Sequence, residues 1–515
     1  MDNYYDKERI HALIQEAPSW YRNPNLIKLY LLLIAPILTS TALGFDLSMT
    51  NSLQSIDSFM DKFGHPSGSN LGFYGAAMSV GGIIACFFAG SVSDRLGRRL
   101  LCSVGAAVVG GMAIMQTFSS NFQMFVGAKL ILGFGVSLQQ LGAPILVTEL
   151  AHPKQRVTLT SIYNTGIFIG LILGAWISFG TFTIESEWSW KLPCLLQVVL
   201  PVYQTVMVWL CPESPRWLAS RGRLEEARDI LIKWHGNGIE NDIVKAELQE
   251  IIAGLEADQT QLKFNIEGIK TILGSKGNRH RLWLGFWTAV GSQCAGSNLI
   301  SSYLPKVLDQ VGMTTTKEKT LINGIASIEC WMIALVSAIF LSRFKRRTVF
   351  LVATTGMLVS FIVWTALASE YVNTELSSFG IGVVSMIFVF NIFSAMCWIP
   401  LVITYPLETA TTKQRGVFFA WTLFCINASS FCISYVNPIG IENMSWRYYI
   451  IQCFFDFILL LIIYFTFVET QGLTLEEIST VFDGEEAFNN ASVVASEVLG
   501  DKIVQTSANY VEEKV

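Results

Sequence analysis

Charged residues recur in this chain at matching places. Glu149 and Arg156 are separated by six residues, and so are Glu408 and Arg415. Asp94-Arg95-Leu96-Gly97-Arg98-Arg99 has a counterpart in Ser342-Arg343-Phe344-Lys345-Arg346-Arg347, and Pro212-Glu213-Ser214 has one in Val468-Glu469-Thr470. Arg216 follows the first of these tripeptides, and each counterpart lies about half a chain further on. A carboxylate facing a guanidinium makes a charge-assisted, often bidentate bond. One basic cluster after an apolar run is ordinarily a solvated topogenic charge. A spacing that returns in both halves points instead to a gate. Pairs within and between the halves would hold one side closed and break as the halves rock.

A second group consists of polar residues inside apolar runs. Asp46 lies late in the first run and Lys129 about two turns into the fourth. An ionisable side chain within a membrane is costly and marks function by default, and a buried lysine can lose its proton. Asp46 is therefore a functional-site candidate with Lys129 as its neighbour; the alternative is a static ion pair. Asn164, Gln293, Asn298 and Asn427 also lie deep in apolar runs. Amides donate and accept at once, which suits a ligand rich in hydroxyls without burying a charge. One buried Asn is more often glue between helices, but four amides from three runs favour a ligand site. Tyr303 fits a ligand or gate residue and, equally, an interfacial anchor.

The elements that carry these residues are membrane helices. Of 515 residues, 52% are hydrophobic and only 15% charged, against about 25% charged in a soluble domain. Spanning a bilayer takes roughly 20 apolar residues in a helix. Such runs occur near 28–50, 73–91, 100–118, 122–147, 158–180 and 192–211, then 281–304, 321–342, 348–368, 378–405, 416–438 and 447–468. The expected fold is an all-α membrane protein of twelve transmembrane helices in two pseudo-symmetric six-helix bundles, 28–211 and 281–468. Residues 1–27 are expected to form a polar segment, 212–280 a linker of short cytoplasmic helices, and 469–515 a cytoplasmic tail. The basic clusters follow spans two, four, eight and ten, which places both termini in the cytoplasm. A duplicated bundle places its substrate path between the repeats.

Composition also excludes. The net charge of −5 argues against a nucleic-acid partner. The ten cysteines and five histidines are dispersed, so no metal site is expected. No GxxxxGK[ST] loop offers a route to ATP. No nucleophile–base pair appears, so neither a catalytic centre nor a cofactor is expected.

Gly-x3-Asp-Arg-Leu-Gly-Arg-Arg (90–99), Pro-Glu-Ser-Pro-Arg-Trp-Leu (212–218) and Glu-Thr-Gln-Gly-Leu-Thr-Leu-Glu-Glu (469–477) resemble the sugar porter family of the major facilitator superfamily. Thr-Glu-Leu-Ala-His-Pro (148–153), Tyr-Asn-Thr-Gly (163–166) and Ser-Tyr-Leu-Pro-Lys-Val-Leu (302–308) look most like fungal lactose and cellodextrin permeases. The resemblance implies sugar:proton symport across the plasma membrane by a monomer, with a disaccharide, hexose or pentose as substrate. It aligns Gln293 and Asn298 with sugar-binding amides, Asn164 with a span-five Gln, and Trp398 with a tryptophan that stacks on the sugar. The resemblance also makes Asp46 the proton site, released from its basic partner when protonated; Lys129 stands where the family carries an Arg, and Ser292 where it carries the first Gln. A facilitative hexose uniporter and a sugar sensor that does not transport are the alternative readings.

Overall fold

The computed structural model describes residues 20–258, 273–340, 343–410, 414–471, 478 and 482; the side chains of 89–94, 157, 253–258, 338–340 and 415–416 lie outside this description. Asp94 and Arg415, both expected in the gate, fall among those side chains. The described elements are all helical. A chain in lipid must satisfy its backbone internally, and the helix does so within each segment.

The first half contributes Pro24–Leu53, Gly68–Leu96, Arg98–Thr117, Phe122–Leu150, Arg156–Thr181 and a sixth span, which runs as Trp188–Leu196, Val199–Met207 and a 3-10 turn. Three short helices follow, Pro215–Ser220, Leu224–Trp234 and Asp242–Asp258. The second half contributes a seventh span in two pieces, Lys276–Cys294 and Ser297–Gln310, then Thr316–Phe340, Arg346–Thr374, Ser377–Thr409, Arg415–Met444 and Tyr448–Thr466. Length and hydropathy alone mark ten candidate spans. The difference from twelve arises because Val417–Thr466 counts as one stretch and because the seventh span is broken. Large apolar side chains such as Leu31, Phe87, Val199, Ile381 and Phe465 point outward, as a lipid-facing belt requires.

Local signals fix several helix starts. The Asn23 side chain accepts from the amides of Asn25 and Leu26, with Pro24 in the first turn, and Asn121 accepts from Met124. These caps satisfy amides that the helix itself leaves free.

The break in the seventh span departs from the continuous helix expected over 281–304. Gly296 has φ +85°, and a Cβ there would lie 2.2 Å from the Phe361 ring. Only glycine adopts that backbone at so close an approach.

Within the first half, spans one and five meet through Gly166, Gly170 and Gly174; a Cβ on Gly170 would lie 2.0 Å from the Thr41 carbonyl. Small residues at this spacing let membrane helices touch backbone to backbone. Between the halves, span two packs along span eleven and span five along span eight. Hydrogen bonds joining the halves cluster away from the end that carries the basic loops. Asn51 donates to Asn323 (3.1 Å), Asn323 to Ser52 (3.0 Å), Gln54 to the Ser302 carbonyl (2.7 Å) and Thr316 to the Ser55 carbonyl (3.0 Å). The chain thus has a basic end and a far end, and the far end is fastened.

Candidate functional site

At the basic end the repeated charges form two equivalent knots. In the first half, the Glu213 carboxylate accepts from the backbone amides of Arg98 and Arg99, each at 3.2 Å. These amides open the third span, so an anion caps a helix N-terminus there. Gly97 precedes them at φ +88°, and a Cβ on it would lie 2.6 Å from the Glu213 carboxylate. Arg98 Nε stands 3.7 Å from Glu149, to which the Ser214 hydroxyl also donates. In the second half, Glu469 accepts from the amides of Arg346 (2.8 Å) and Arg347 (3.2 Å), which open the ninth span. Arg346 pairs with Glu408 at 3.1 Å, and Thr470 donates to Glu408 at 2.7 Å. Arg99 lies over Trp209 at 4.9 Å, and Arg347 over Tyr464 at 5.5 Å.

Each of these pairs lies within one half, so the latches expected between halves are not formed by them. The reason is geometric: the tripeptide that ends each half turns back onto that half's own third helix. Arg156 pairs with Glu247 at 3.7 Å, and Arg216 with Glu250 at 3.1 Å, so both reach the helix Asp242–Asp258. Arg95 is exposed, and its carbonyl accepts from Arg221.

Behind Arg156 lies a cluster that the sequence did not suggest. His235 is buried, with Nδ1 2.7 Å from Glu247 and Nε2 3.1 Å from the Leu150 carbonyl. Both partners are acceptors, so both ring nitrogens must donate, as an imidazolium does. Burial works against that charge, but the Glu247 carboxylate prevails and holds the His235 pKa above its ordinary value. Burial likewise works against the Glu247 carboxylate, whose pKa His235 nevertheless holds below the usual range. His152, whose ring centre is 5.4 Å from that of His235, is pushed down to about 4 by burial and then by this neighbour.

In the membrane interior, Asp46 and Lys129 meet. Lys129 Nζ stands 3.9 Å from Asp46 Oδ2, and both side chains are almost wholly enclosed. Lys129 also donates to the Thr50 hydroxyl and lies 4.5 Å from the centre of the Tyr74 ring. Gln197 donates to Asp46 Oδ1 at 3.0 Å. Oδ2 is enclosed and accepts no hydrogen bond among the described residues. Thr50, Tyr74 and Gln197 were not singled out from sequence, since ordinary polar residues give no signal until the spans are rotated into register.

The amides are less uniformly placed. Gln293 and Asn298 flank the break in span seven. Gln293 is half-buried and donates to Ser292 at 3.3 Å. Asn298 Oδ1 already accepts from Ser434 (3.1 Å) and Asn437 (3.4 Å), so it is part of a helix-joining network. Tyr303 belongs to the same group, donating to the Ser434 carbonyl at 2.6 Å. Trp398 is buried against Gly291, and its ring meets Phe350 edge to face at 5.1 Å. Asn427 donates to its own helix at Leu423 (2.9 Å) and covers Gly82 of span two. Asn164 is exposed on span five. A cleft of about 590 Å³ lies elsewhere, at the basic end between Arg99, Trp209, Trp217 and Lys233. Among the described residues no group of His, Cys, Asp and Glu is arranged for a metal ion.

The chain matches the family described as sugar (and other) transporter over residues 32–482. It is 26% identical over 458 residues to the MFS-type transporter criB of Aspergillus cristatus, covering 88% of this chain and 93% of that one. It is 24% identical over 502 residues to a high-affinity glucose transporter of Kluyveromyces lactis, covering 93% and 90%. The fold is that of the xylose transporter XylE from E. coli in an inward-open conformation, with a TM-score of 0.73, 20% identity and coverage of 88% and 100%. With twelve spans in two halves among the described residues and a family match along nearly its whole length, this chain belongs to the family of sugar (and other) transporters.

Proposed function

We propose that the chain is a sugar:proton symporter of the plasma membrane, acting as a monomer with its basic end and both termini in the cytoplasm. The observation that carries this reading is Asp46 Oδ2, enclosed, beside Lys129 and without a hydrogen bond. A proton arriving there neutralises the carboxylate and releases the lysine to Thr50 and Tyr74, which already hold it. The loss of one ion pair in a low-dielectric interior shifts a balance of a few kcal/mol between two packings. Sugar binds between the halves near the broken seventh span, since broken helices line transporter sites. Gln293 supplies a half-buried amide, Asn427 and Trp398 stand on spans eleven and ten, which pack against span seven, and Asn164 stands on span five of the other half. The two knots keep each bundle rigid while the bundles rock. Relatives named for glucose and xylose support a hexose or pentose substrate; a disaccharide remains within the same chemistry.

The test is uptake of labelled glucose, galactose, xylose, lactose and cellobiose in transporter-deficient yeast, with and without a protonophore. Accumulation of one sugar that the protonophore abolishes supports symport. Asp46→Asn is then expected to keep exchange and lose uphill uptake, and unchanged accumulation would reject the proton site. Downhill uptake that ignores the protonophore establishes the uniporter. Surface expression with no uptake of any sugar overturns the transporter reading and puts the sensor first.

A further inference from the structure

The cleft at the basic end takes no part in the proposed sugar path. It has a volume of about 590 Å³ and opens between the start of the third span, the end of the sixth, and the short helices Pro215–Ser220 and Leu224–Trp234. Those elements fix its depth. A gap between two span ends lies where hydrocarbon gives way to lipid headgroups. One rim is apolar and turned outward, with Leu96, Trp209 and Leu210 exposed, and an exposed tryptophan is at home at that boundary. The opposite wall is the helix Leu224–Trp234, which brings Ile230, Lys233 and Trp234 to the cleft. One side therefore meets lipid and the other meets water.

Six charged side chains line the cleft, and three of them are already committed. Glu213 caps the third span, and Arg223 donates to Glu226 through two bonds of 2.6 Å. Arg99, Asp229 and Lys233 remain. The Arg99 guanidinium donates to the carbonyls of Cys211 (3.2 Å) and Trp209 (3.4 Å), and Lys233 lies over the Trp234 ring at 5.2 Å. Neither cation has an ion-pair partner among the described residues, and neither has Asp229. Asp229 and Lys233 are exposed and stand four residues apart, on one face of their helix. What is left over is two positive charges and one negative, at headgroup depth beside an apolar rim.

We infer that the cleft binds a serine phospholipid: its phosphate and carboxylate meet Arg99 and Lys233, its ammonium meets Asp229, and an acyl chain runs along Leu96, Trp209 and Leu210. A glycerol or inositol headgroup brings the anion without the ammonium. A choline or ethanolamine headgroup brings only one anion. A serine headgroup brings two anions and one ammonium, the complement of the three free side chains. The cytoplasmic placement of the basic end, proposed above, puts the cleft in the leaflet that carries serine phospholipids; neither sugar nor proton enters the argument. Arg99 also belongs to the first knot, so an occupied cleft ties the helix Leu224–Trp234 to the start of the third span.

The experiment offers the full chain, purified in detergent and stripped of lipid, an equimolar mixture of phosphatidylserine, phosphatidylglycerol, phosphatidylethanolamine and phosphatidylcholine. Native mass spectrometry then counts the lipids retained. Phosphatidylserine is expected to be retained about fivefold over each of the others, the scale of one charge contact at a membrane surface. Lys233→Gln should remove the preference over phosphatidylethanolamine, and Asp229→Asn the preference over phosphatidylglycerol. Both residues are exposed and outside the knots, so both variants should keep the melting temperature of the wild type in detergent without lipid. Equal retention of the four lipids by the wild type, or a serine preference that survives both variants, would overturn the inference. Phosphatidylglycerol retained as well as phosphatidylserine by the wild type would remove the ammonium contact and overturn the serine headgroup. Displacement of the lipid by an equal concentration of soluble glycerophosphoserine would make the ligand a free phosphodiester and overturn the lipid. Uptake is not measured, so failure of the transport reading and failure of this site are separate results.

Discussion

The two halves agree at the basic end and diverge inside the membrane. Glu213 and Glu469 cap the third and ninth spans through the same pair of amides, and Glu149 and Glu408 take the same arginine and hydroxyl partners. Further in, span one is a continuous helix carrying Asp46 against Lys129, while span seven is broken at Gly296. The second half holds Glu329 and Asp456, and the two Asp456 oxygens have no hydrogen-bond partner among the described residues. The charge knots that tie each half's third helix to its end are alike, whereas the interiors differ, with a charge pair in the first half and a broken helix lined by polar groups in the second.

That division can be broken experimentally. The largest effect is expected from Asp46→Asn, which should reduce the steady-state accumulation ratio to one. Asp456→Asn, which breaks no ion pair seen in the structure, should leave accumulation standing. Equal loss in both would end the assignment of coupling to the first half. Next comes Gly296→Ala, where a left-handed backbone and the Phe361 ring together should cost about 3 kcal/mol. A melting temperature lower by several degrees, with sugar binding lost, checks it; an unchanged melt would show that the break does not depend on glycine.

Smaller effects test the likeness of the knots. Glu213→Gln and Glu469→Gln should each destabilise by about 1 kcal/mol, the scale of a charge at a helix terminus. The two losses should add, because the sites are remote from each other. Thermal unfolding of both single variants and the double variant measures this, and a several-fold inequality would show that the knots are alike in form only.

The smallest effect concerns pH and has no counterpart among the described residues of the second half. The pKa of His235 is raised on folding, so its contribution is full below the unfolded value of about 6.5 and fades as pH rises through the folded value. Amides of Leu224–Trp234 should therefore exchange faster at pH 8.5 than at 6.5 beyond the intrinsic rate change. His235→Asn should remove that excess, and an excess that survives it would locate the titration elsewhere.

The basic end was legible because its signals are short, charged and repeated, and charges at helix ends declare both depth and side. Asp46 and Lys129 were legible because ionisable residues in apolar runs are few. The interior amides were not. Every face of a membrane span is apolar, so the period of the sequence does not fix its rotation. Asn298 consequently read as a ligand, although Ser434 and Asn437 already hold its oxygen. Asn427 read the same way; its Nδ2 donates to its own helix while its carbonyl oxygen lies over Gly82. Arg156 read as a partner for the membrane bundles, yet it reaches a carboxylate on Asp242–Asp258 that no spacing could indicate.

The fastening at the far end has a mechanical consequence. The Tyr303 hydroxyl carries one proton and faces two carbonyls, Ser434 at 2.6 Å in its own half and Leu71 at 3.4 Å across the divide. The proton goes to the nearer, so the phenol spends its bond at home and touches the other half only by shape. Its seat is Gly75, where a Cβ would lie 1.9 Å from the phenol oxygen. Tyr303 is a wedge in a notch rather than a bolt. Parting the halves there withdraws a ring from a recess and leaves its stronger hydrogen bond unbroken, so that point resists closure from a bulkier notch more than it resists opening.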